Sequence, residues 1–224
     1  MKSFTKVLKE TKRRLESANI HSGHGYDSVH DEAVALVLYA ANISPAQNIH
    51  LENEPFPTKY LGRLNRFLDD RCFEKIPTAY IIGTAWLAGI QFICDERALI
   101  PRSPIAQALI DRLRPWWRPD TSPEVIVDLC CGGGSLGILA SHVFPDATVV
   151  LSDLDWGALS LASENVRLTG FESQLVCVQG DLLEAIACDR VDLILANPPY
   201  VSIDEIFTLP AEYQHEPRFA LEAA

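Results

Sequence analysis

Apolar residues recur at helical spacing through the first third of the chain. Leu61, Leu64 and Leu68, for example, fall on one stripe of a helix. Segments that contain Gly, Ser and Pro separate the apolar stretches, and such segments end helices. The pattern predicts about three or four short helices. We expect residues 1–78 to form a small helical domain.

The pattern changes at Tyr80. From there the apolar residues fall in short β-favouring pieces, with Gly89 between two of them. A glycine between two such pieces is typical of a β-hairpin. We expect residues 79–102 to form a hairpin that links two larger parts of the chain.

Beyond residue 102, predicted helices and strands alternate. The segment 103–117 predicts a helix, with Ser103 as its N-cap and Pro104 at the first helical position. A buried strand is predicted at 124–130, and further strands at 147–155, 174–182 and 191–200. Strands that alternate with helices form a parallel sheet through right-handed crossovers. Residues 103–224 therefore predict a doubly wound α/β domain, whose ligand lies beyond the carboxyl ends of the strands.

The charge and the apolar runs exclude some classes of protein. A formal net charge of −11 argues against broad binding to a nucleic-acid backbone. It suits a basic protein partner, although many enzymes are acidic only for solubility. The longest apolar runs fall short of the ~20 residues that span a bilayer, and the N-terminus is charged where a signal peptide is apolar. We expect a cytoplasmic protein that does not bind membranes.

The cysteines and histidines do not predict a metal site. The six cysteines include no C-x-x-C pair, which argues against zinc. His21, His24 and His30 share one loop, but no carboxylate or thiolate ligand stands at a familiar spacing from them.

The main candidate for chemistry is the turn after the first predicted strand. Gly132, Gly134 and Gly137 spell G-x-G-x-x-G, a spacing that lets the backbone bend sharply and approach a ligand. The following helix directs its free N–H groups at that ligand. Asp153 ends the next strand, where it can accept both hydroxyls of a ribose. A dinucleotide and S-adenosylmethionine both fit these features, so the turn alone leaves the ligand open.

Later segments favour S-adenosylmethionine. Asp181, after the third strand, is placed to accept a hydrogen bond from an adenine amino group or to cap a short helix. After the fourth strand, Pro198 and Pro199 stiffen the chain. The Pro198 carbonyl and the Asn197 amide oxygen are two acceptors that can hold a planar –NH₂ group, with Tyr200 as a wall of the pocket. Such a grip suits methyl transfer to an amide or amino nitrogen by positioning and electrostatics.

These motifs resemble those of the class I S-adenosylmethionine-dependent methyltransferases, and among them the HemK-type protein glutamine N5-methyltransferases. The segments "DERALIPRSPIAQALI" and "LPAEYQHEPRFAL" resemble the branch that acts on the third large-subunit ribosomal protein. The resemblance implies that Asn197, Pro198, Pro199 and Tyr200 hold the substrate amide. It also implies a cofactor site made of Asp128, Cys130, Gly132, Gly134, Asp153, Leu154, Asp181, Leu182 and Asn197. Gly137 is expected only to face the sheet from within its helix.

The resemblance further implies a substrate and an architecture. We expect S-adenosylmethionine as cofactor, a ribosomal large-subunit protein as partner, no specific nucleic acid, and an N-terminal helical domain that recognises the protein substrate. The sheet of that family has more strands than this sequence predicts, so we expect a C-terminally shortened chain of uncertain activity. Its open sheet edge favours association with another chain, although the sequence does not give an oligomeric state.

Three other hypotheses stay open at this point. An adenine N6 DNA methyltransferase uses the same Asn-Pro-Pro-Tyr motif for a flipped base, but the acidic charge argues against it. A nicotinamide-dependent oxidoreductase explains Gly137 and Asp153 and leaves that motif unused. A shortened chain that binds the cofactor weakly, without turnover, is the third.

Overall fold

The computed structural model describes residues 2–44, 53–118, 121–187 and 190–223. These residues form two compact units. The helical unit comprises Met1–Gly83 and Pro210–His215, and the sheet unit comprises Thr84–Leu209 and Glu216–Ala224. The three-part division at residues 78 and 102 stays a prediction. The hairpin belongs to the sheet unit, and residues 210–215 belong to the helical unit, which the sequence did not indicate.

Four α-helices lie in the described part of the helical unit, as the apolar spacing predicts. They are α1 (Phe4–Ser17), α2 (Val29–Ala40), α3 (Leu61–Cys72) and α4 (Thr78–Ile82). Ser3 and Ser28 cap the first two, since each side chain accepts a hydrogen bond from a backbone N–H of the first turn. The stripe on α3 packs inward, with Leu64 and Leu68 buried.

A buried arginine joins the elements of the helical unit. Arg71 is 1% exposed. Its guanidinium donates to Glu32 at 2.7 Å, to Glu212 at 2.9 Å and to the His21 carbonyl at 2.9 Å. Thr78 donates to the same Glu32 carboxylate at 2.7 Å. Because a buried ion is tolerated only when it is paired, this network ties residues 210–215 to α2 and α3.

The sheet unit begins with the predicted hairpin. Strands β1 (Thr84–Leu87) and β2 (Ile90–Ile93) pair antiparallel, and the turn between them uses Gly89 at φ 79°. Asn165 anchors the hairpin: its side chain accepts from the Ile93 N–H at 2.7 Å and donates to the Gly133 carbonyl at 2.9 Å. The hairpin and the glycine turn are therefore held by one side chain.

A parallel sheet forms the centre of the sheet unit and confirms the predicted α/β fold. Its strand order is β5-β4-β3-β6. The strands are β3 (Val125–Leu129), β4 (Thr148–Asp153), β5 (Leu175–Gln179) and β6 (Leu193–Ala196). The chain runs outward from β3 through β4 to β5 and then crosses to the other side of β3. This reversal is a topological switch point, where α/β sheets bind ligands beyond the strand ends.

Helices α6 (Ser135–Val143) and α7 (Trp156–Thr169) pack on this sheet, and α5 (Ile105–Ile110) packs on α6. A short helix, α8 (Ile203–Ile206), follows β6 in the chain. The prediction of a helix up to residue 117 was wrong, because α5 ends at Ile110. Arg112 and Leu113 have φ values of 53° and 58°, and residues in that left-handed region cannot continue an α-helix.

The arginine network predicts a large loss of stability. Arg71→Met leaves the Glu32 and Glu212 carboxylates buried without their partner, so we expect the free energy of unfolding to fall by about 3–5 kcal/mol. Arg66→Met, at an exposed position of the same helix, should change it by less than about 0.5 kcal/mol. Thermal unfolding measures both. Equal stability of the two variants would contradict the role given to Arg71.

Candidate active site

A cavity of about 740 Å³ opens beyond the carboxyl ends of the parallel strands. The loops after β3, β4, β5 and β6 all contribute to its wall. The lining residues fall within 97–103, 128–136, 152–158, 180–182, 197–199 and 219–222. The sheet therefore brings together residues that lie far apart in the sequence.

The loop after β3 turns sharply into α6. Cys130, Gly132 and Gly134 have φ values of 52°, 54° and 79°, a conformation that favours glycine. Cys130 and Gly132 line the cavity, whereas Gly134 is not among its described lining residues. A Cβ on Gly134 would lie 3.1 Å from a side-chain carbon of Leu151. Gly134 therefore shapes the turn by packing against the sheet.

Gly137 lies within α6 and faces the sheet, as predicted. A Cβ there would lie 2.2 Å from the Leu151 side chain, so only glycine lets the helix pack this closely. Its N–H donates to Asp128 Oδ2 at 2.8 Å. The third glycine of the G-x-G-x-x-G spacing is thus a packing residue.

Asp128 has a buried carboxyl group, and only one of its two oxygens accepts a hydrogen bond within the described residues. It is 1% exposed. Oδ2 accepts from Gly137, and Oδ1 has no hydrogen-bond partner in the described residues. Burial raises the pKa of Asp128 to about 7, the Gly137 N–H opposes this rise, and the negative charge of Asp153 adds to it. A buried carboxyl oxygen with a free lone pair suits a cationic group of a ligand.

Asp153, at the end of β4, holds three strand ends together. Its carboxylate accepts from the N–H of Gly132 at 2.8 Å and of Asp155 at 3.0 Å. Its backbone carbonyl accepts from the Gly180 N–H at 3.1 Å. A carboxylate has about four lone-pair sites, so the two oxygens of Asp153 can still accept hydroxyl donors from the cavity.

The loop after β5 carries Asp181 and Leu182, and both line the cavity. Asp181 begins a turn, since its carbonyl accepts from the Glu184 N–H at 3.0 Å. Gly180 lets this turn close tightly: a Cβ there would lie 2.2 Å from that of Ala185. Leu154 and Leu182 are both exposed apolar side chains in the cavity wall.

The segment after β6 supplies the amide and the two prolines. Asn197, Pro198 and Pro199 line the cavity, directly after Ala196 pairs with Leu129 at the end of β3. Tyr200 differs from the expectation. It is 76% exposed and is not among the described lining residues, so it lies at the rim and does not wall the pocket.

Two further lining segments overlap segments that resemble the family in sequence, but the motifs gave them no place in the site. One is 97–103, between the hairpin and α5, and the other contains Phe219, Ala220 and Glu222. An ion pair links the first segment to the chain just before the second, because Arg102 donates to both oxygens of Glu216. The sequence places Arg102 and Glu216 more than a hundred residues apart, and neither stands in a motif that reveals the pairing.

Comparison with known proteins assigns the chain to a family. The family model described as "Methyltransferase small domain" matches residues 106–209. A ribosomal protein uL3 glutamine methyltransferase of Bordetella pertussis is 38% identical over 222 residues, which are 99% of this chain and 74% of that protein. The chain belongs to the ribosomal protein uL3 glutamine methyltransferase family. A Francisella tularensis member is 36% identical, over 93% of this chain and 67% of its own length.

Family membership confirms the resemblance inferred from the motifs. It favours the methyltransferase hypothesis over the nicotinamide-dependent oxidoreductase. Among solved structures, a human methyltransferase 10 domain containing protein superposes with a TM-score of 0.42 at 15% identity, over 52% of this chain and 57% of that one. At this level of similarity, the superposition does not distinguish between substrates.

The described ranges contain neither a cluster of metal ligands nor a membrane-spanning helix. Within them, no group of three or more His, Cys, Asp or Glu side chains could hold a metal ion. The His24 ring instead packs against Tyr213, with ring centroids 4.5 Å apart. No described helix is long and apolar enough to cross a membrane.

The pKa of Asp128 predicts a pH-dependent stability. Because this pKa is raised in the folded state, the folded chain holds the proton longer than the unfolded chain. Stability should therefore fall as pH rises between about 4 and 7, by at most about 1.4 kcal/mol per pH unit from this group. Asp128→Asn removes the ionisation and should unfold at a higher temperature than wild type above pH 7.

The matched control for this measurement is Asp146→Asn, which alters an exposed carboxylate of the same unit. Thermal unfolding from pH 4 to 8 should give this control the slope of wild type. An unchanged slope in Asp128→Asn would contradict the raised pKa.

Proposed function

We propose that the chain transfers a methyl group from S-adenosylmethionine to the side-chain amide nitrogen, N5, of a glutamine in ribosomal protein uL3. One observation supports this most: Asn197 and Pro198, two acceptors for an amide –NH₂ group, line the same cavity as the glycine turn after β3. The choice of a uL3 glutamine as the substrate rests on the relatives, which are named as ribosomal protein uL3 glutamine methyltransferases.

The cofactor end of the cavity is assigned to the loops after β3, β4 and β5. The proposed contacts are Asp128, Cys130, Gly132, Gly134, Asp153, Leu154, Asp181, Leu182 and Asn197. Of these, Gly134 acts through the shape of the turn. The free Oδ1 of Asp128 fits the ammonium group of a methionine moiety, and the remaining lone pairs of Asp153 fit ribose hydroxyls. Leu154 and Leu182 offer apolar surface to a purine ring.

The acceptor end is assigned to Asn197, Pro198 and Pro199, with Tyr200 at the rim. When bound, S-adenosylmethionine supplies an electrophilic methyl group on a sulfonium. An amide nitrogen is a weak nucleophile, because its lone pair is delocalised into the carbonyl. The Asn197 side-chain oxygen and the Pro198 carbonyl would hold both N–H bonds and orient this lone pair toward the methyl group. This contribution is positioning and electrostatic stabilisation.

Charge supports a basic protein as the substrate. A ribosomal protein such as uL3 binds the RNA backbone through Lys and Arg and is therefore basic. This chain is acidic, with a net charge of −11. Opposite net charges increase the rate of encounter. The helical domain at residues 1–78 is proposed to recognise the substrate, and the cytoplasm, where ribosomes are assembled, is the proposed location. No specific nucleic-acid partner is proposed.

Methyl transfer from labelled S-adenosylmethionine to unmethylated uL3 tests the function. Asn197→Ala removes one of the two acceptors and should lower kcat by about a hundredfold or more, while the Kd for S-adenosylmethionine changes only a few-fold. Gln91→Ala is the control, because it removes an exposed side-chain amide of the hairpin outside the cavity lining. It should retain the wild-type rate.

Two results would overturn the proposal. Label in DNA and not in uL3 would favour the adenine methyltransferase. Binding of S-adenosylmethionine with no transfer to any substrate would favour the chain that binds cofactor without turnover.

A further inference from the structure

One wall of the cavity comes from a segment that has no assigned role. Phe219, Ala220 and Glu222 line the cavity together with the Asn197–Pro199 acceptors. Phe219 is 53% exposed, although it belongs to a short 3-10 turn, Arg218–Ala220. A large aromatic ring that lines a cavity while half of its surface is exposed can gain stability by covering an apolar part of a ligand.

Two fixed points hold this segment in place. At its start, the buried Glu216 carboxylate accepts two hydrogen bonds from Arg102, at 2.5 and 3.0 Å. At its end, the Val201 N–H donates to the Leu221 carbonyl and the Ala223 N–H donates to the Val201 carbonyl, both at 2.9 Å. The backbone that carries Phe219 is therefore held in place before a ligand binds, which lowers the cost of binding.

The second fixed point also indicates which ligand Phe219 faces. Val201 follows the Asn-Pro-Pro-Tyr motif directly, and it pairs with the chain two to four residues after Phe219. The contacts proposed for the cofactor come mainly from the loops after β3, β4 and β5, whereas Phe219 is joined to the loop after β6. The ring thus belongs to the end of the cavity that receives the acceptor.

From this geometry we propose that Phe219 is a specificity-determining contact of the proposed glutamine methyltransferase. Its ring packs against the aliphatic carbons of the substrate glutamine and so places the amide between Asn197 and the Pro198 carbonyl. A side chain with fewer methylene groups would lose this contact or fail to reach the acceptors. The inference rests on the proposed function and adds a residue to it.

Steady-state kinetics with uL3 and equilibrium binding of S-adenosylmethionine test this role. Phe219→Ala should raise the KM for uL3 on the order of tenfold, with a smaller change in kcat and an unchanged Kd for S-adenosylmethionine. Phe219→Leu keeps an apolar side chain, so its KM for uL3 should stay close to the wild-type value. Thermal unfolding of both variants should match wild type, since the ring is half exposed.

Phe207→Ala is the matched control. Phe207 is another exposed phenylalanine of the sheet unit, 72% exposed, and it is not among the described lining residues. The KM for uL3 should stay at the wild-type value in this variant. An equal rise in both alanine variants would mean that the rings serve general docking, and this would overturn the inference.

The remaining outcomes separate the inference from the proposed function. An active wild type whose KM is unchanged in Phe219→Ala overturns the role of Phe219 alone. Weaker binding of S-adenosylmethionine to Phe219→Ala would make the ring a cofactor contact and overturn it too. A wild type that methylates no glutamine overturns the proposed function, and the inference with it.

Discussion

The site depends on the hydrogen bonds that converge on Asp153. Through its carboxylate and its carbonyl, this residue joins the glycine turn after β3, the loop after β4 and the loop after β5. Parallel pairing brings the carboxyl ends of these strands to one edge, but it does not fix the loops beyond them. Asp153 fixes these loops by accepting hydrogen bonds from three backbone N–H groups, those of Gly132, Asp155 and Gly180. The cavity keeps its shape because this residue satisfies partly buried backbone N–H groups at its base.

The same carboxylate influences the charge of the cavity. Burial, followed by the negative charge of Asp153, raises the pKa of the Cys130 thiol, and burial with the nearby Asp128 and Asp153 charges raises that of Cys131. Both thiols therefore stay protonated at neutral pH, where a thiolate would compete as a nucleophile for a methyl group. The acidic surroundings that keep them protonated also suit a cationic cofactor. The same negative charges thus suit the binding of a cationic cofactor and keep the two thiols in the protonated, less nucleophilic form.

Local patterns predicted the elements well, because apolar spacing records which face each segment buries. The parallel sheet, the hairpin and the packing role of Gly137 follow from such patterns. The end of α5 at Ile110 did not, since the left-handed backbone at Arg112 and Leu113 leaves no mark in composition. Long-range pairing was also missed. Glu212 belongs to the helical unit because Arg71 is buried beside it. Glu216 pairs with Arg102, which lines the cavity, and so holds the segment that leads to Phe219. Single charged residues look alike in sequence whether they are exposed or buried in pairs.

The central claim is that the cavity presents a substrate amide nitrogen to a methyl donor. Tandem mass spectrometry of uL3 after reaction with labelled S-adenosylmethionine tests it most directly, because fragmentation locates the added methyl group. The account predicts a single labelled glutamine, with the methyl group on the side-chain amide. Label on a lysine, an arginine or a carboxylate of uL3 would contradict it, because the proposed role of the Asn197 and Pro198 acceptors is to hold an amide –NH₂ group.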